Sequence, residues 1–396
     1  MYQLSTHDEG LLLAICSTHL PSSTILNPNG PSLSSVPWRR SNVRHTNNEL
    51  YVDIIEVITA TIAPSGRPLL ARVCGTVAMT SKISGVPDLL LTLSAPGGGY
   101  GKKLASVEFP VFHPCVRLSR WKERPGELSF VPPDGKFVLA SYEVDLLPNH
   151  TFSTSLSKST QLQLPVTVEV KKGLGEYGSE FEVRVLVNSV PSGQQNSTLS
   201  SPFPRAIGSR GGGSPAFGGS SNQPVVEDVI ITIPLAPGIK TLMNTKTSRG
   251  EWHHEKGTVT WKVPMTGGNL NTATATFRTG IVLKTSMDEE WEDDNEDDDG
   301  TSNSGCDSGP GSAAGIPKMQ NKKEDAEKAR VHKRRARVEA MMPRSVLIHF
   351  SVKSWLASGV KVESLQVVHG KGLGDGVKPY KGVKYMTKAG KVEVRC

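Results

Sequence analysis

The chain has 396 residues, of which 39 are glycine and 27 are proline, and its formal net charge is +7. This length can form two cores or one large composite domain, and the scarcity of helix-forming runs favours an all-β protein. The five cysteines are odd in number and lack Cys-x-x-Cys spacing, which argues against a disulfide framework or zinc site and for a reducing cytosol. The apolar run 11–16 is too short for a membrane span and lacks the basic lead of a signal peptide.

Segments rich in apolar and β-branched residues, each bounded by turn-forming residues, follow one another along the chain. In the first of them Leu50, Val52 and Ile54 alternate with Tyr51 and Asp53, so the two sets face opposite sides of a predicted strand. Such segments recur at intervals of about ten residues, which predicts a β-sandwich rather than βαβ units. The predicted strands are residues 48–57, 68–79, 89–93, 137–144, 164–170, 181–187, 229–234, 258–263, 272–277, 346–352, 361–368, 380–385 and 391–395.

Three segments lack the pattern of a folded core. Residues 1–40 form a linker-like N-terminal segment, with folded structure opening at Trp38. Residues 191–224 are rich in glycine and serine, and residues 286–342 segregate into an acidic and a basic block, so both are predicted to be disordered insertions. The basic block is also compatible with a solvated helix over residues 324–341.

The charge is unevenly distributed. Ten acidic residues lie within 288–299, and removing them from a net charge of +7 leaves +17 for the rest of the chain. A body this basic suits anionic surfaces, either phosphoinositide-bearing membrane or nucleic acid. The basic segment 318–337 permits a nuclear signal, a nucleic-acid patch or a solvated charge run, and the neighbouring acidic tract favours the last.

No catalytic or metal-binding constellation emerges from the remaining polar residues. His113 lies in an apolar segment and is predicted to be a satisfied core residue, while His253 and His254 lie in a predicted turn and point apart. The glycines of 372–376 lack the strand and helix of a nucleotide loop. Asp53 permits two interpretations: a carboxylate left in water, or an acceptor held for a hydroxyl donor. We predict a binding module, without enzyme activity, cofactor or metal.

Several stretches of the sequence resemble the medium (mu) subunits of the heterotetrameric clathrin-adaptor-type complexes. They are residues 48–53 (Asn-Glu-Leu-Tyr-Val-Asp), 84–88 (Ser-Gly-Val-Pro-Asp), 112–117 (Phe-His-Pro-Cys-Val-Arg), 130–135 (Phe-Val-Pro-Pro-Asp-Gly), 358–362 (Ser-Gly-Val-Lys-Val) and 383 to the end. Residues 38–40, 112–115 and 381–390 are most similar to the branch in adaptor complex 3, which sorts cargo from Golgi or endosome to lysosome or vacuole.

The resemblance implies an all-β fold, an elongated pair of β-sandwich subdomains called a mu homology domain, with the second subdomain inserted into the first. Placed on this sequence, the mu homology domain covers residues 41–396. Residues 41–158 and 355–396 form the outer subdomain A, and residues 159–354 form the inserted subdomain B. Members of the family carry a longin domain at the N-terminus, and residues 1–40 are expected not to supply one.

The resemblance also implies that the chain binds Tyr-x-x-Φ sorting signals, in which Φ is a bulky apolar residue, by adding the cargo peptide as an edge strand. The residues carried over for the tyrosine pocket are Tyr51, Asp53 and Lys384. Those for the Φ pocket are Leu50, Val52, Val362, Leu365 and Val383, and those for edge pairing are Val383, Lys384 and Tyr385.

Three positions depart from the family pattern. A tryptophan common in other branches is replaced by Gly382, a pocket lysine by Thr80 and an arginine by Lys384. A lysine is a poorer stacking partner for an aromatic ring than an arginine, so the tyrosine pocket is expected to be wider and weaker.

The partners implied are cargo tails, other subunits of an adaptor complex and an anionic, phosphoinositide-bearing membrane surface, without nucleic acid. The location implied is cytoplasmic, peripheral on Golgi or endosomal membranes and coated vesicles. Two alternatives remain. One is a stand-alone mu-domain endocytic adaptor that binds other coat proteins, and the other is a nucleic-acid binder that uses residues 318–337.

Overall fold

The computed structural model describes residues 36–95, 107–147, 162–188, 224–265, 274–284, 318–372 and 378–396. The predicted segment 1–40 lies outside these ranges up to residue 35. The predicted insertion 191–224 lies outside them up to residue 223, and the predicted insertion 286–342 up to residue 317.

Strands dominate the described part of the chain, so the prediction of an all-β fold is confirmed. The strands are β1 (Glu49–Ile62), β2 (Pro68–Lys82), β3 (Val86–Ser94), β4 (Glu108–Phe112), β5 (Glu127–Phe130), β6 (Gly135–Asp145), β7 (Val166–Leu174), β8 (Glu180–Val187), β9 (Val225–Pro234), β10 (Ile239–Thr247), β11 (Glu251–Glu255), β12 (Thr258–Val263), β13 (Thr274–Leu283), β14 (Ser345–Lys353), β15 (Lys361–Lys371) and β16 (Tyr380–Arg395). The helices are α1 (Leu118–Glu123) and α2 (Lys318–Ala340). Neither of these described helices combines the length and the apolar composition that a membrane span needs.

The strands form three sheets. The largest has the order β11-β12-β9-β14-β16-β1-β2-β6-β4, the second β10-β13-β8-β7 and the third β15-β3-β5. In the nine-stranded sheet the four strands drawn from residues 159–354 lie together at one end, and the five drawn from the rest of the chain lie at the other. The elongated shape and the subdomain boundaries stay predictions.

The two smaller sheets cover the two ends of the large one. Phe277 of β13 packs against Trp261 of β12 with ring centroids 5.7 Å apart, which joins the four-stranded sheet to one end. Val362 of β15 donates its backbone N–H to the Tyr385 hydroxyl of β16 at 3.0 Å, which joins the three-stranded sheet to the other. Burial alternates along most strands, as in Val-Ile-Ile-Thr-Ile of β9, because only one face of each strand meets the core.

A buried carboxylate crosses three strands of the large sheet. Glu56 of β1 is fully buried, and its register partner on β2 is Gly75, which in turn pairs with Tyr142 of β6. A side chain at Gly75 would overlap the Tyr142 ring, since an added Cβ would lie 2.1 Å from Cζ. The ring therefore passes over the glycine, and its hydroxyl donates to Glu56 Oε1 at 2.8 Å. Glu56 Oε2 also accepts the backbone N–H of Ser358 at 3.1 Å.

Trp38 and Arg39 belong to the folded protein and not to the predicted linker 1–40. Arg39 is only 2% exposed, and its guanidinium donates to the carbonyls of Gly85 (2.7 Å) and Pro132 (3.0 Å). Trp38 donates its indole N–H to the carbonyl of Val131 at 2.8 Å. The bound of the linker-like segment at residue 40 is thus too late, and these long-range contacts agree with the prediction that folded structure opens at Trp38.

The prediction that residues 286–342 are disordered throughout is wrong for their last part. Residues 318–340 form helix α2, in agreement with the alternative of a helix in the basic block. Val338 and Met342 are 7% and 2% exposed and join the hydrophobic core, so the end of this segment is anchored by apolar burial. His253 and His254 lie in strand β11 rather than in the predicted turn.

Replacing Met342 with alanine should lower the free energy of unfolding by about 2–5 kcal/mol, because it leaves a cavity in the core. Val331→Ala, on helix α2 at a residue 58% exposed, should change it by no more than about 0.5 kcal/mol. Urea unfolding followed by tryptophan fluorescence measures both. Equal effects of the two substitutions would contradict the assignment of Met342 to the core.

Replacing Glu56 with alanine should cost at least about 1–3 kcal/mol, because the Tyr142 hydroxyl and the Ser358 N–H lose a buried acceptor. Glu143→Ala removes an exposed carboxylate from the same sheet, paired with Arg72 at 3.0 Å, and should cost less than about 1 kcal/mol. Thermal unfolding of both variants provides the comparison.

The stability that Glu56 contributes should also depend on pH. Burial raises the pKa of Glu56, against the opposing effect of its hydrogen bonds to Ser358 and Tyr142. The folded state then holds a proton that the unfolded chain releases at lower pH. Relative to Glu56→Gln, the wild type should be most stable below the unfolded pKa of about 4.3 and lose that advantage as pH rises through the folded pKa. A difference that grows with pH would contradict this.

Candidate functional site

The first and last strands of the chain lie side by side, in parallel. The register pairs Tyr51 of β1 with Gly382 of β16, and Asp53 with Lys384. Neighbouring strands lie about 4.8 Å apart, so these residues form one compact group on one face of the sheet. The Asp53 side chain is half-buried and Lys384 is exposed. The structure therefore brings together all three residues predicted for a tyrosine pocket.

Asp53 keeps acceptor capacity. Within the described ranges no side chain or backbone donor is bonded to its carboxylate, and Lys384, opposite it in the register, forms no ion pair with it. An ionised carboxylate accepts at both oxygens, so this one is able to receive a hydroxyl donor from a ligand. Of the two interpretations of Asp53, the geometry permits the acceptor.

The Tyr51 ring lies over Gly382. A Cβ added at Gly382 would sit 2.7 Å from Tyr51 Cδ1, so the aromatic ring occupies the space that any side chain at this position would enter. The Tyr380 ring stands next to it, with centroids 5.8 Å apart and planes tilted by 54°. Partial desolvation, and then the nearby Glu49 carboxylate, raise the pKa of the Tyr51 phenol.

The second departure from the family pattern, Thr80, lies in the same row of the sheet. Thr80 of β2 pairs with Tyr51 on one side and with Lys136 of β6 on the other. Lys136 is exposed and lies on the same face. Its strand, β6, is one strand further from the pocket than β2, and neighbouring strands are about 4.8 Å apart. A second lysine, Lys82, lies two residues further along β2 on the same face, with its ammonium 3.8 Å from the Glu49 carboxylate.

The five residues predicted for the Φ pocket lie on the opposite face, and most are closed off. Leu50 and Val52 are 0% exposed and Leu365 is 1% exposed, while Val362 and Val383 are partly buried and pack against the same core. The assignment of the Φ pocket to these residues stays a prediction, and in this structure they offer little open surface. The reason is that β15 lies directly over this part of β16.

Two side chains of β16 hold β15 in that position. The Lys381 ammonium donates to the Leu365 carbonyl at 2.6 Å, and the Tyr385 hydroxyl accepts the Val362 N–H at 3.0 Å. Val383, between them in sequence, points toward the same face by strand alternation. Burial lowers the pKa of Lys381, which agrees with an ammonium partly removed from water.

Within the described ranges, the first half of β16 has a backbone edge that pairs with no other strand. The Tyr380 N–H donates to the Asn48 carbonyl beside β1 at 2.9 Å, whereas the Tyr385 carbonyl accepts from Ser354 on the other side, also at 2.9 Å. Backbone groups alternate in direction along a strand, so those of Val383 point away from β1. In the described part of the chain β14 pairs with β16 only from residue 386 onward.

The predicted edge-pairing residues are therefore not equivalent. Val383 presents its backbone to the open side, together with Lys381, which the sequence did not identify. Lys384 turns its backbone toward β1, and the Tyr385 carbonyl is already used by Ser354. The sequence predicts that backbone groups alternate in direction along the strand, but not which residues face β1. The hydrogen bond from the Tyr380 N–H to the Asn48 carbonyl fixes that choice.

No group of three or more histidine, cysteine or acidic residues among the described positions could hold a metal ion. His113 is half-buried and its ring Nδ1 accepts the Cys115 N–H at 3.1 Å, while desolvation lowers the pKa of its ring. It is a satisfied structural residue, as its apolar surroundings in the sequence indicate.

The model of the adaptor complexes medium subunit family matches residues 36–396. The chain belongs to this family. The match spans both strands of the site and both ends of the large sheet. Medium subunits are adaptor components rather than enzymes, and the prediction of a non-enzymatic protein agrees with that membership.

Among the relatives, the AP-3 complex subunit mu-1 of Homo sapiens is 28% identical over 365 residues, which cover 92% of this chain and 61% of that protein. The AP-3 complex subunit mu of Schizosaccharomyces pombe is 35% identical over 186 residues, 46% of this chain and 38% of that protein. The chain thus spans less than two thirds of these relatives. A homology model of the full-length AP-3 complex shares the fold, with a TM-score of 0.50, 18% identity and coverage of 88% of this chain and 69% of that one.

Proposed function

We propose that this chain is the cargo-recognition subunit of a vesicle-coat adaptor complex and binds Tyr-x-x-Φ signals in the cytosolic tails of membrane proteins. The observation that supports the proposal best is the parallel pairing of β1 with β16. This pairing places an available carboxylate, an aromatic ring and a free strand edge within one site. Other subunits of the complex are the partners that family membership and the likeness to an AP-3 assembly favour.

The cargo backbone adds to the free edge as a further strand, through the outward groups of Val383 and Lys381. The cargo tyrosine then packs beside Tyr51 and Lys384, and its hydroxyl donates a hydrogen bond to Asp53. Both contacts use groups that face solvent and are already in place, which keeps the cost of ordering the site low.

The Φ side chain requires a movement. Because Leu365 is 1% exposed, a bulky apolar residue reaches the cleft only when β15 shifts away from β16. The two bonds made by Lys381 and Tyr385 are the contacts that this shift lengthens. Binding of Φ therefore selects a rearranged position of β15.

The proposal also includes a transport route for the cargo and a surface that binds the membrane. Transport from Golgi or endosome to lysosome or vacuole, and a peripheral location on those membranes, rest on the similarity to the complex-3 branch. Attraction to a phosphoinositide-bearing leaflet rests on charge: Lys384, Lys388 and Lys391 are exposed along β16. Each lysine close to an anionic leaflet contributes about 1 kcal/mol.

Asp53→Ala should weaken binding of a Tyr-x-x-Φ peptide to the full chain about ten- to a hundredfold. A hydrogen bond to a charged acceptor contributes roughly 1.5–3 kcal/mol, which converts to that range of affinity. A Tyr→Phe peptide should lose a similar factor with the wild type and nothing further with the variant. Phosphorylation of the tyrosine should abolish binding, because a group of about −2 charge would face Asp53. Titration calorimetry measures all of these.

The matched control is Glu251→Ala, which removes an exposed carboxylate from β11 at the far edge of the same sheet. It should leave the affinity unchanged, and all variants should keep the wild-type unfolding midpoint to within a few degrees. Equal affinity of the wild type for the tyrosine, phenylalanine and phosphotyrosine peptides would refute the proposed role of this site.

A further inference from the structure

Tyr380 is exposed far beyond what an aromatic residue in a strand needs for packing. Its side chain is 63% exposed, although it opens a strand in the middle of the nine-stranded sheet. Its only ring contact among the described residues is with Tyr51. Aromatic residues supply large amphipathic contact surfaces for ligands, and an exposed one beside a candidate pocket contributes little to the core.

The position of Tyr380 follows from strand alternation. Tyr380, Gly382 and Lys384 are two residues apart in β16, so all three side-chain positions lie on one face. Gly382 has no side chain, and the Tyr51 ring covers it. On this face the Tyr51 ring covers Gly382, with Tyr380 on one side along β16 and Asp53 and Lys384 on the other.

We infer that Tyr380 is a specificity-determining residue of the site and forms the aromatic wall against which the cargo tyrosine ring packs. This inference rests on the proposed function and adds a residue to it. Gly382 leaves the site without an aromatic side chain at its own position, and Tyr380 supplies one from two residues earlier. The Tyr51–Tyr380 pair, tilted by 54°, offers a ring both a face and an edge.

The surroundings of Tyr380 support a ligand-binding role. A Cβ built at Gly382 would lie 3.8 Å from Tyr380 Cε1, so the Tyr380 ring lies at van der Waals distance from the position that a side chain at Gly382 would take. The Tyr380 backbone N–H is bonded to Asn48, which holds the first residue of β16 in the sheet while its side chain faces solvent. The wall is therefore carried on a rigid element.

Tyr380→Ala should weaken binding of a Tyr-x-x-Φ peptide by about two- to tenfold, the range expected for loss of one aromatic contact. It should not change the binding of the same peptide with alanine in place of the tyrosine. Tyr380→Phe should bind like the wild type, because the wall needs a ring and not a hydroxyl, and Tyr380→Leu should resemble Tyr380→Ala. Calorimetry on the full chain gives each affinity.

Tyr177→Ala is the matched control, because Tyr177 is 67% exposed in the turn between β7 and β8, outside the site. It should bind both peptides like the wild type. Weakening of tyrosine and alanine peptides by the same factor in Tyr380→Ala would show a structural role only and overturn the inference. If Asp53→Ala weakens the tyrosine peptide while Tyr380→Ala does not, the inference fails and the proposed function stands. If the wild type binds no peptide, both fail.

Discussion

The arrangement of the site depends on a buried hydrogen-bonded carboxylate on the first strand. Glu56 accepts from Tyr142 of β6 and from Ser358 in the segment that leads into β15. Its register partner on β16 is Thr387, which is also fully buried and donates to the carbonyl of Trp355 in the same segment at 2.9 Å. One connecting segment is thus tied to both strands of the site. A buried polar group without these partners would be strongly destabilising, so the carboxylate selects this register over others.

The register then decides the chemistry three residues earlier on β1. Sliding a strand by one residue exchanges its two faces, and Asp53 would then meet the core instead of solvent. In the observed register Leu50 and Val52 fill the core while Tyr51 and Asp53 face outward. The same strand therefore supplies the apolar side that the fold needs and the polar side that a ligand can use. The free edge of β16 completes the site because, among the residues that the structure describes, β14 pairs with β16 only from Met386 onward.

Local patterns predicted much of this, and long-range contacts account for what was missed. The alternation in β1 predicted which side Asp53 faces, and the resemblance placed Tyr51 and Lys384 beside it. Burial of Leu365 could not be predicted, since it depends on how β15 lies over β16. Glu56 was missed because a lone glutamate in an apolar run gives no sign of its partners, and Ser358 is 302 positions away. The burial of Val338 and Met342, at and just after the end of α2, was missed for a related reason. The blocks of charge before them dominate the composition of the segment.

Amide hydrogen exchange on the full chain, with and without a Tyr-x-x-Φ peptide, tests the central claim most directly. We expect exchange to slow at the amides of Val383 and Lys381, because the peptide adds a strand to the free edge. Exchange at Gly382 and Lys384, whose backbones already face β1, should change little. Protection that appears instead at the outer strand β11, or an unchanged Val383 in the presence of bound peptide, would contradict the account.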